Sequence, residues 1–327
     1  MKKRLYNIDF LKGALIILVI SGHLILGKMD EMLIRTFIYS FHMPLFIGIS
    51  GYLFNYEKVE NLNIIKLLKK YWLRAILPWI FAVIGFYIIS RISKSINFSL
   101  KSFIFSFITP YYHLWFIPGF ISWILTTYIL KKLKISNIYL LFISFIISSI
   151  FLAFHLKPSL YFGYGKLSSI ISIVTSVLRP FFYFFFIFGF FLRKKILPNI
   201  TTKHLAFIIF FFCSIIYVFY YPNPWLYALN FFSINILLIF SLLSLSQKNL
   251  IPRSKSIEWI GINSLGLYLW HVVPIILAQN LTINPPSINY YILAIFLELI
   301  FIFIYNYLIQ FNTLRKYFLG LEKNTDK

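Results

Sequence analysis

The chain has little charge for its length. Of its 327 residues only 12% are charged, while 60% are hydrophobic. A soluble domain has roughly a quarter of its residues charged, so the charged residues here are too few to cover a water-facing surface. This shortage excludes a soluble globular protein and indicates a chain that lies in lipid.

Cysteine is almost absent, and so are several catalytic motifs. Cys213 is the single cysteine, so a disulfide framework within one chain is impossible. The sequence has no short metal-ligand spacing such as His-x-x-x-His, no elbow-glycine motif of serine hydrolases and no phosphate-binding glycine loop. We therefore predict no metal site, and histidine-centred acid–base or nucleophilic chemistry remains.

Long apolar runs recur along the whole chain, each of them long enough to cross roughly 30 Å of hydrocarbon. Because the backbone must satisfy its own hydrogen bonds in lipid, these runs are predicted to be helices. The sequence thus predicts an all-α, polytopic transmembrane helix bundle that forms a single membrane-embedded domain over residues 1–327. The predicted spans, about ten in number, cover residues 10–28, 34–55, 73–91, 111–130, 138–154, 171–192, 204–221, 225–246, 262–280 and 289–310.

The net charge of +22 raises the alternative of nucleic-acid binding, because basic proteins often bind phosphates. The placement of the charges favours another explanation. With a cytoplasmic N-terminus and ten spans, about 22 of the 31 lysines and arginines lie on the cytoplasmic side. This bias follows the positive-inside rule and predicts that both termini are cytoplasmic. We therefore expect membrane lipids, and not nucleic acid, to be partners of the basic residues.

The first span contains Asp9, Lys12 and His23 on one stripe of the helix. At about 100° per residue, Lys12 and His23 point within about 20° of each other, and Asp9 lies about 40° from His23. Ionisable groups inside a span usually face a protein-lined interior and are often functional. These three are candidate catalytic residues. The alternative is that Asp9 and Lys12 form an interfacial pair and His23 only bonds a neighbouring helix.

Other polar residues lie within or at the ends of later spans. They are His42 beside Pro44, His113 beside Trp115, Arg179, His271 and Glu298. Proline lacks the backbone donor and clashes with the preceding turn, so the second span is predicted to kink or break at Pro44. A charge at the depth of Glu298 in the membrane destabilises the fold, so such a residue is usually functional. For His113, an interfacial anchor in an aromatic belt is the alternative.

The densest basic cluster lies in the loop after the second span. It contains Lys58, Lys66, Lys69, Lys70 and Arg74. A polyanionic cofactor entering from the cytoplasm would find its phosphates matched there. The alternative is that the cluster reflects the positive-inside rule alone.

Six short segments, in a fixed order, identify a resemblance that covers most of the chain. They are IDFLKG at 8–13, SGH at 21–23, FHMPLF at 41–46, ISGYL at 49–53, LWF at 114–116 and GINSLGLYLWH at 261–271. Together they resemble the acyltransferase-3 family of integral-membrane O-acyltransferases, and within it the fucose 4-O-acetylase-like sugar acetylases. The most specific feature is the spacing of Lys12 and His23 combined with the His-Met-Pro-Leu-Phe run.

This resemblance implies an O-acetyltransferase with acetyl-CoA as the cytoplasmic donor. The acceptor would be a hydroxyl of a cell-surface or lipid-linked sugar of the capsule, O-antigen or exopolysaccharide type. His23 would be the essential catalytic residue, either as general base or as a transient acyl carrier. The family often has an Arg-x-x-Arg motif in the first cytoplasmic loop, of which this chain has only the second position, Arg74, with Tyr71 at the first.

The resemblance also suggests where the two substrates bind. The coenzyme phosphates are predicted to bind Lys69, Lys70 and Arg74. The candidates for holding the acceptor are His42, His113, Trp115, His271 and Glu298. The expected location is a bacterial cell membrane.

A transporter or flippase of a lipid-linked sugar is the alternative function, because such proteins also consist of apolar helices with a few buried charges. Transporters usually show internal repeats with broken helices in matching halves, and we find none in this sequence. The acceptor sugar, the hydroxyl, the direct or acyl-enzyme route and the oligomeric state, a dimer included, are left open.

Overall fold

The computed structural model describes residues 5–28, 31–156, 166–221 and 223–321. Within these ranges the regular secondary structure is helical and no strand is present. The α-helices are α1 Tyr6–Leu24, α2 Leu33–Leu53, α3 Ile64–Tyr71, α4 Leu77–Ser93, α5 Leu100–Ile108, α6 Phe116–Lys132, α7 Asn137–Leu156, α8 Lys166–Val177, α9 Tyr183–Leu192, α10 Thr202–Tyr220, α11 Pro224–Gln247, α12 Lys255–Ile262, α13 Ser264–Trp270, α14 Val272–Leu281, α15 Ile288–Leu308 and α16 Asn312–Tyr317. Short 3-10 helices lie at Tyr56–Lys58 and Pro180–Phe182, and a π-helical segment lies at Trp72–Ile76.

Helices long and apolar enough to cross a membrane make up most of the described chain. In these ranges there are eight, or nine if one bent pair counts as a span. The eight are Tyr6–Leu24, Leu33–Leu53, Ile64–Ser93, Asn137–His155, Thr202–Tyr220, Pro224–Gln247, Ser264–Leu281 and Ile288–Leu308. The prediction of an all-α, multi-pass membrane protein is confirmed. Residues 1–4 and 322–327 lie outside the described residues, and the cytoplasmic placement of both termini stays a prediction.

Two of the ten predicted spans, 111–130 and 171–192, are not among these eight helices. The span at 171–192 is the bent pair, Ser168–Val177 and Pro180–Leu192, with an angle of 47°. Arg179 has a left-handed backbone with φ of 42° and is followed by Pro180, which together end the first helix. The span at 111–130 begins later than predicted, because turns precede Phe116, and the helix Phe116–Lys132 has 17 residues.

The predicted basic loop is largely helical. The third span was predicted from residue 73, but the helix begins at Ile64 and continues to Ser93 through the π-helical segment. The side chain of Asn63 caps its start by accepting a hydrogen bond from the Lys66 amide at 2.8 Å. In α3 Leu67 is fully buried while the lysines lie at the surface, so this turn of helix is amphipathic.

Of the kink or break predicted at Pro44, the break is wrong, because α2 runs unbroken from Leu33 to Leu53, and the kink stays a prediction. Pro44 has no amide hydrogen to donate to the Ser40 carbonyl four residues earlier. The side chain of Asn235 from α11 donates to that carbonyl instead, at 2.8 Å. A neighbouring helix thus replaces the hydrogen bond that proline removes.

This replacement predicts that the effect of substituting Asn235 on the free energy of unfolding depends on the residue at position 44. We expect Asn235→Leu to lower the free energy of unfolding by about 1–3 kcal/mol, because it leaves the buried Ser40 carbonyl without a donor. In a Pro44→Ala background the backbone amide again bonds Ser40, so the same substitution is expected to cost less. Chemical unfolding in detergent gives both values, and equal costs in the two backgrounds would contradict the explanation.

The chain forms two compact units, each built from separate stretches of sequence. The first unit consists of Met1–Leu18, Lys28–Asn61 and Gly119–Ile262. At its centre α2 and α9 pack extensively, and glycines allow the close approach, since a Cβ at Gly189 would overlap the carbonyl of Gly48. The phenylalanine run that includes Phe185 and Phe186 is core, with both rings fully buried.

The second unit consists of Val19–Gly27, Leu62–Pro118 and Asn263–Lys327. Its segment 19–27 is the end of α1 and the loop that follows, and it packs against α14 and α15. Leu24 and Leu26 lie on a small core formed by Ala278, Tyr290 and Ala294. The Tyr290 hydroxyl donates to the Leu24 carbonyl at 3.0 Å, which fixes the end of the helix that contains His23. That the chain forms one functional domain over residues 1–327 stays a prediction.

Candidate active site

Three histidines from distant parts of the sequence meet in the second unit. The ring centroids of His23 and His271 are 5.1 Å apart, those of His113 and His271 are 5.1 Å apart, and those of His23 and His113 are 6.1 Å apart. His113 and His271 are buried, with at most 1% of each exposed, while His23 is partly exposed. We call these three residues the histidine cluster.

The three histidines lie at different kinds of position in the backbone, and for two of them the backbone is irregular. His23 lies in the last turn of α1. His113 lies in the turns before α6, directly after Tyr112, whose φ is positive. His271 lies at the junction of α13 and α14, three residues before Pro274, whose ring interrupts the helical hydrogen bonds.

Backbone carbonyls fix the tautomers of the two buried rings. His113 Nε2 donates to the Leu269 carbonyl at 3.1 Å, and His271 Nδ1 donates to the Tyr268 carbonyl at 2.8 Å. A carbonyl oxygen only accepts, so the other nitrogen of each neutral ring holds a lone pair. Neither His113 Nδ1 nor His271 Nε2 has a hydrogen-bond partner among the described residues. The cluster therefore offers two buried, unused acceptors beside His23.

Aromatic side chains surround the cluster. The Tyr112 ring packs against His23 at 5.0 Å, and Phe86 packs against His113 at 4.9 Å. Phe86 in turn stacks on Trp270 at 6.0 Å. The Tyr268 hydroxyl donates to the backbone carbonyl of His113, which ties α13 to the turn before α6. Tyr112 and Tyr268 were not among the predicted site residues, although Tyr112 directly precedes His113 and Tyr268 lies in the same segment, 261–271, as His271.

Glu298 lies in the middle of α15 on its buried face. Only 4% of this residue is exposed, and neither carboxylate oxygen has a hydrogen-bond partner among the described residues. An acid in this position destabilises the fold unless something else binds it. Trp115 is also buried, and its ring packs against Phe116 at 6.1 Å.

The state of Glu298 predicts opposite changes in stability and activity. We expect Glu298→Leu to raise the free energy of unfolding by about 1–3 kcal/mol, because it removes a buried polar group without partners. If the residue holds the acceptor, the same variant transfers acyl groups more slowly. Thermal unfolding and transfer assays test both, with Glu298→Gln as the isosteric control. A Glu298→Leu variant that retains full transfer activity would show that the carboxylate does not hold the acceptor.

The remaining predicted histidine and the predicted ion pair belong to the first unit. Lys12 Nζ and Asp9 Oδ1 form a salt bridge of 3.2 Å, and their side chains are 20% and 16% exposed. Both residues precede His23 in α1, and their catalytic role stays a prediction. His42 is buried, its Nδ1 donates to the Ile38 carbonyl at 2.7 Å, and its ring packs on Tyr39.

Lys69, Lys70 and Arg74 line a single cavity of about 560 Å³ in the second unit. Arg315 and Lys316 from α16 line it as well. None of the described residues that line the cavity is acidic. We call this the basic cavity.

Among the described residues, no group of three or more His, Cys, Asp or Glu side chains is placed to hold a metal ion.

The basic cavity and the histidine cluster are connected by α4 and the π-helical segment before it. Arg74 lies in that segment and lines the cavity, and Phe86 lies further along and contacts His113. Twelve residues of helix correspond to a rise of about 18 Å, more than half of a hydrocarbon layer of about 30 Å. The cations of the basic cavity are thus far from the imidazoles of the histidine cluster along α4. This separation suits a long substrate whose charged end and reacting end are far apart.

Comparison with known proteins finds a family match over most of the chain and a short similarity to another protein. The model of the acyltransferase-3 family, described as an acyltransferase domain, matches residues 5–307. A segment of 52 residues is 52% identical to Nodulation protein NolL from Sinorhizobium fredii (strain NBRC 101917 / NGR234). That segment covers 14% of this chain and 14% of the relative's length. No solved structure matches the chain.

The chain therefore belongs to the acyltransferase-3 family, contains its acyltransferase domain at residues 5–307, and is a multi-pass membrane protein. The resemblance identified from the short motifs is thereby confirmed.

Proposed function

We propose that the protein moves an acetyl group from cytoplasmic acetyl-CoA to a hydroxyl of a cell-surface or lipid-linked sugar, of the capsule, O-antigen or exopolysaccharide type. The observation that supports this most strongly is the histidine cluster. Its two buried rings have unused lone pairs next to the partly exposed His23, which is the arrangement needed to bind the hydroxyls of an acceptor and take the proton of one of them.

Two routes fit this geometry. In the direct route His23 takes the proton of the sugar hydroxyl, the oxygen attacks the thioester carbonyl, and the departing thiolate takes the proton to become free coenzyme A. In the other route His23 itself attacks the thioester, the carbon–sulfur bond breaks, and the departing thiolate takes the proton that the acylated imidazole loses. The acyl-imidazole then acylates the hydroxyl, whose proton returns to the imidazole as the acyl–nitrogen bond breaks. In both routes the reacting hydroxyl donates its single proton to His23, and the lone pairs of His113 and His271 accept hydrogen bonds from other hydroxyls of the acceptor and so orient it.

The basic cavity supports acetyl-CoA as the donor. Coenzyme A combines three phosphate groups with a long arm that ends in the thiol. Lysine and arginine side chains in one concave site match phosphates through charge-assisted hydrogen bonds. The arm then extends along α4 towards the cluster, so that the phosphates stay near the membrane surface while the thioester reaches the imidazoles.

The sugar acceptor is supported by the motif resemblance. Rings such as Tyr112 and Trp270, close to the cluster, are suited to stacking on a sugar face. We place the protein in a bacterial cell membrane with both termini in the cytoplasm. Lipids are its surroundings there, and nucleic acid is not a partner.

Label transfer in lipid nanodiscs tests this function. Purified protein would be incubated with acetyl-CoA labelled in the acetyl group and with extracted surface glycans. We expect coenzyme binding, and label in the glycan that mild alkali releases as acetate, because O-acetyl esters are base-labile. Protein that neither binds the coenzyme nor transfers label would contradict the proposal and would favour a transporter of lipid-linked sugar.

A further inference from the structure

The chain continues beyond the region that matches the family. The match ends at residue 307, and α16 with the turn after it follows at residues 312–321. In sequence this segment is a short basic stretch near the C-terminus, where positive charge has a topological explanation. In the structure Arg315, Lys316 and Tyr317 line the basic cavity together with Lys69, Lys70 and Arg74. Residues 312–321 are therefore one wall of that cavity.

This wall is held in place by packing. The Phe318 ring stacks on Phe81 of α4 with centroids 4.2 Å apart, and Leu319 is 5% exposed. Gly320 has φ of 66° and lies so close to the π-helical segment that a Cβ would overlap the Arg74 carbonyl. Only glycine adopts this backbone without strain and also permits the contact. The segment is thus packed closely against the rest of the second unit.

The charge of the residues that line the cavity favours an anionic ligand. Five of its eleven described lining residues are lysine or arginine, and none is aspartate or glutamate. Like charges gathered in one concave site repel each other and raise the local concentration of anions. Three of the five come from the α3 side and two from α16, so anions bound in the cavity lie between cations on opposite walls.

We propose that residues 312–321 form the second wall of the coenzyme site, in which Arg315 and Lys316 bind phosphate groups opposite Lys69, Lys70 and Arg74. The identity of the ligand rests on the proposed function, whereas the position of the wall does not. The donor site then includes a C-terminal element outside the family match. Coenzyme A binding depends on residues more than 240 positions after Lys70.

The test compares two acyl donors that differ in their phosphates. Acetyl-CoA has the full nucleotide, and acetyl-pantetheine has the same thioester arm without any phosphate. In the double variant Arg315→Gln and Lys316→Gln we expect KM for acetyl-CoA to rise roughly 10- to 100-fold, since two charge-assisted hydrogen bonds are lost. The rate with acetyl-pantetheine is expected to stay unchanged, which a merely misfolded variant would not show.

A matched control removes the same charge elsewhere. Lys203→Gln with Lys255→Gln also removes two positive charges, from exposed positions that do not line the cavity. We expect this control to keep the wild-type KM for acetyl-CoA. If the cavity variant and the control behave alike while the wild type uses acetyl-CoA, the second wall is overturned. If the wild type does not use acetyl-CoA at all, the proposed function fails instead.

Anionic lipid headgroups offer the same chemistry as the coenzyme phosphates, and nanodisc composition separates the two. KM for acetyl-CoA is measured for the wild type and the double variant in discs of phosphatidylcholine alone and in discs that also contain phosphatidylglycerol. A rise in KM in both compositions supports the coenzyme site. A defect that appears only with phosphatidylglycerol would show that the wall binds lipid, and it would overturn the inference.

Discussion

His23→Ala is expected to reduce acyl transfer at least about 10³-fold, which is in the range that one positioned acid–base group contributes. His23 is the partly exposed member of the cluster, and its ring contacts both buried histidines. Either route of transfer requires its nitrogen, as a base or as the attacking atom. The rate is measured in nanodiscs with acetyl-CoA and an acceptor glycan at saturating concentrations.

His23→Gln is the matched control for this variant. Glutamine keeps a hydrogen-bonding side chain of similar size, but it is neither a base nor a nucleophile at neutral pH. We expect it to transfer as slowly as the Ala variant while coenzyme binding stays within about twofold of the wild type. A Gln variant with substantial activity would show that His23 only positions a substrate.

His271→Asn and His113→Gln are expected to slow transfer roughly 10- to 100-fold without unfolding the protein. Each substitution keeps the donor that bonds a backbone carbonyl. The Asn amide replaces Nδ1 of His271, facing the Tyr268 carbonyl, and the Gln amide replaces Nε2 of His113, facing the Leu269 carbonyl. What is lost in both is the unused lone pair.

The reciprocal substitutions separate the structural bond from the chemistry. His271→Gln and His113→Asn lose the carbonyl contact, so we expect a lower free energy of unfolding by about 1 kcal/mol or more. Stability and transfer are measured for all four variants. Full transfer by His271→Asn and His113→Gln would mean that the buried lone pairs have no part in binding the acceptor.

Much of the fold follows from the sequence because lipid leaves few alternatives. Runs such as 289–310 can only be helices in hydrocarbon, and the structure has α15 at Ile288–Leu308. The differences arise where a single residue acts through tertiary contacts. Pro44 predicted a break that Asn235 prevents, and Arg179 adopts a left-handed backbone that hydropathy does not reveal. Helix α3 was missed because its lysines made the segment look like a loop.

The sequence predicts which residues are candidates for the site, but it does not predict which of them lie together. His23, His113 and His271 were all candidates, but nothing in their spacing indicates that these three meet while His42 belongs to the other unit. Contacts across 248 residues, as between His23 and His271, depend on the packing of helices. The sequence does not predict the α16 wall either, because membrane topology is a sufficient explanation for the positive charges of Arg315 and Lys316.

A single-turnover experiment tests the central claim, that the histidine cluster performs acyl transfer from a coenzyme bound elsewhere. Protein in excess over acetyl-CoA labelled in the acetyl group is mixed with acceptor glycan, and samples are quenched at intervals. The wild type is predicted to move the label to the sugar and to release free thiol in equal amount. His23→Ala is predicted to keep the labelled acetyl-CoA bound and intact, whereas transfer at the wild-type rate by this variant would contradict the account.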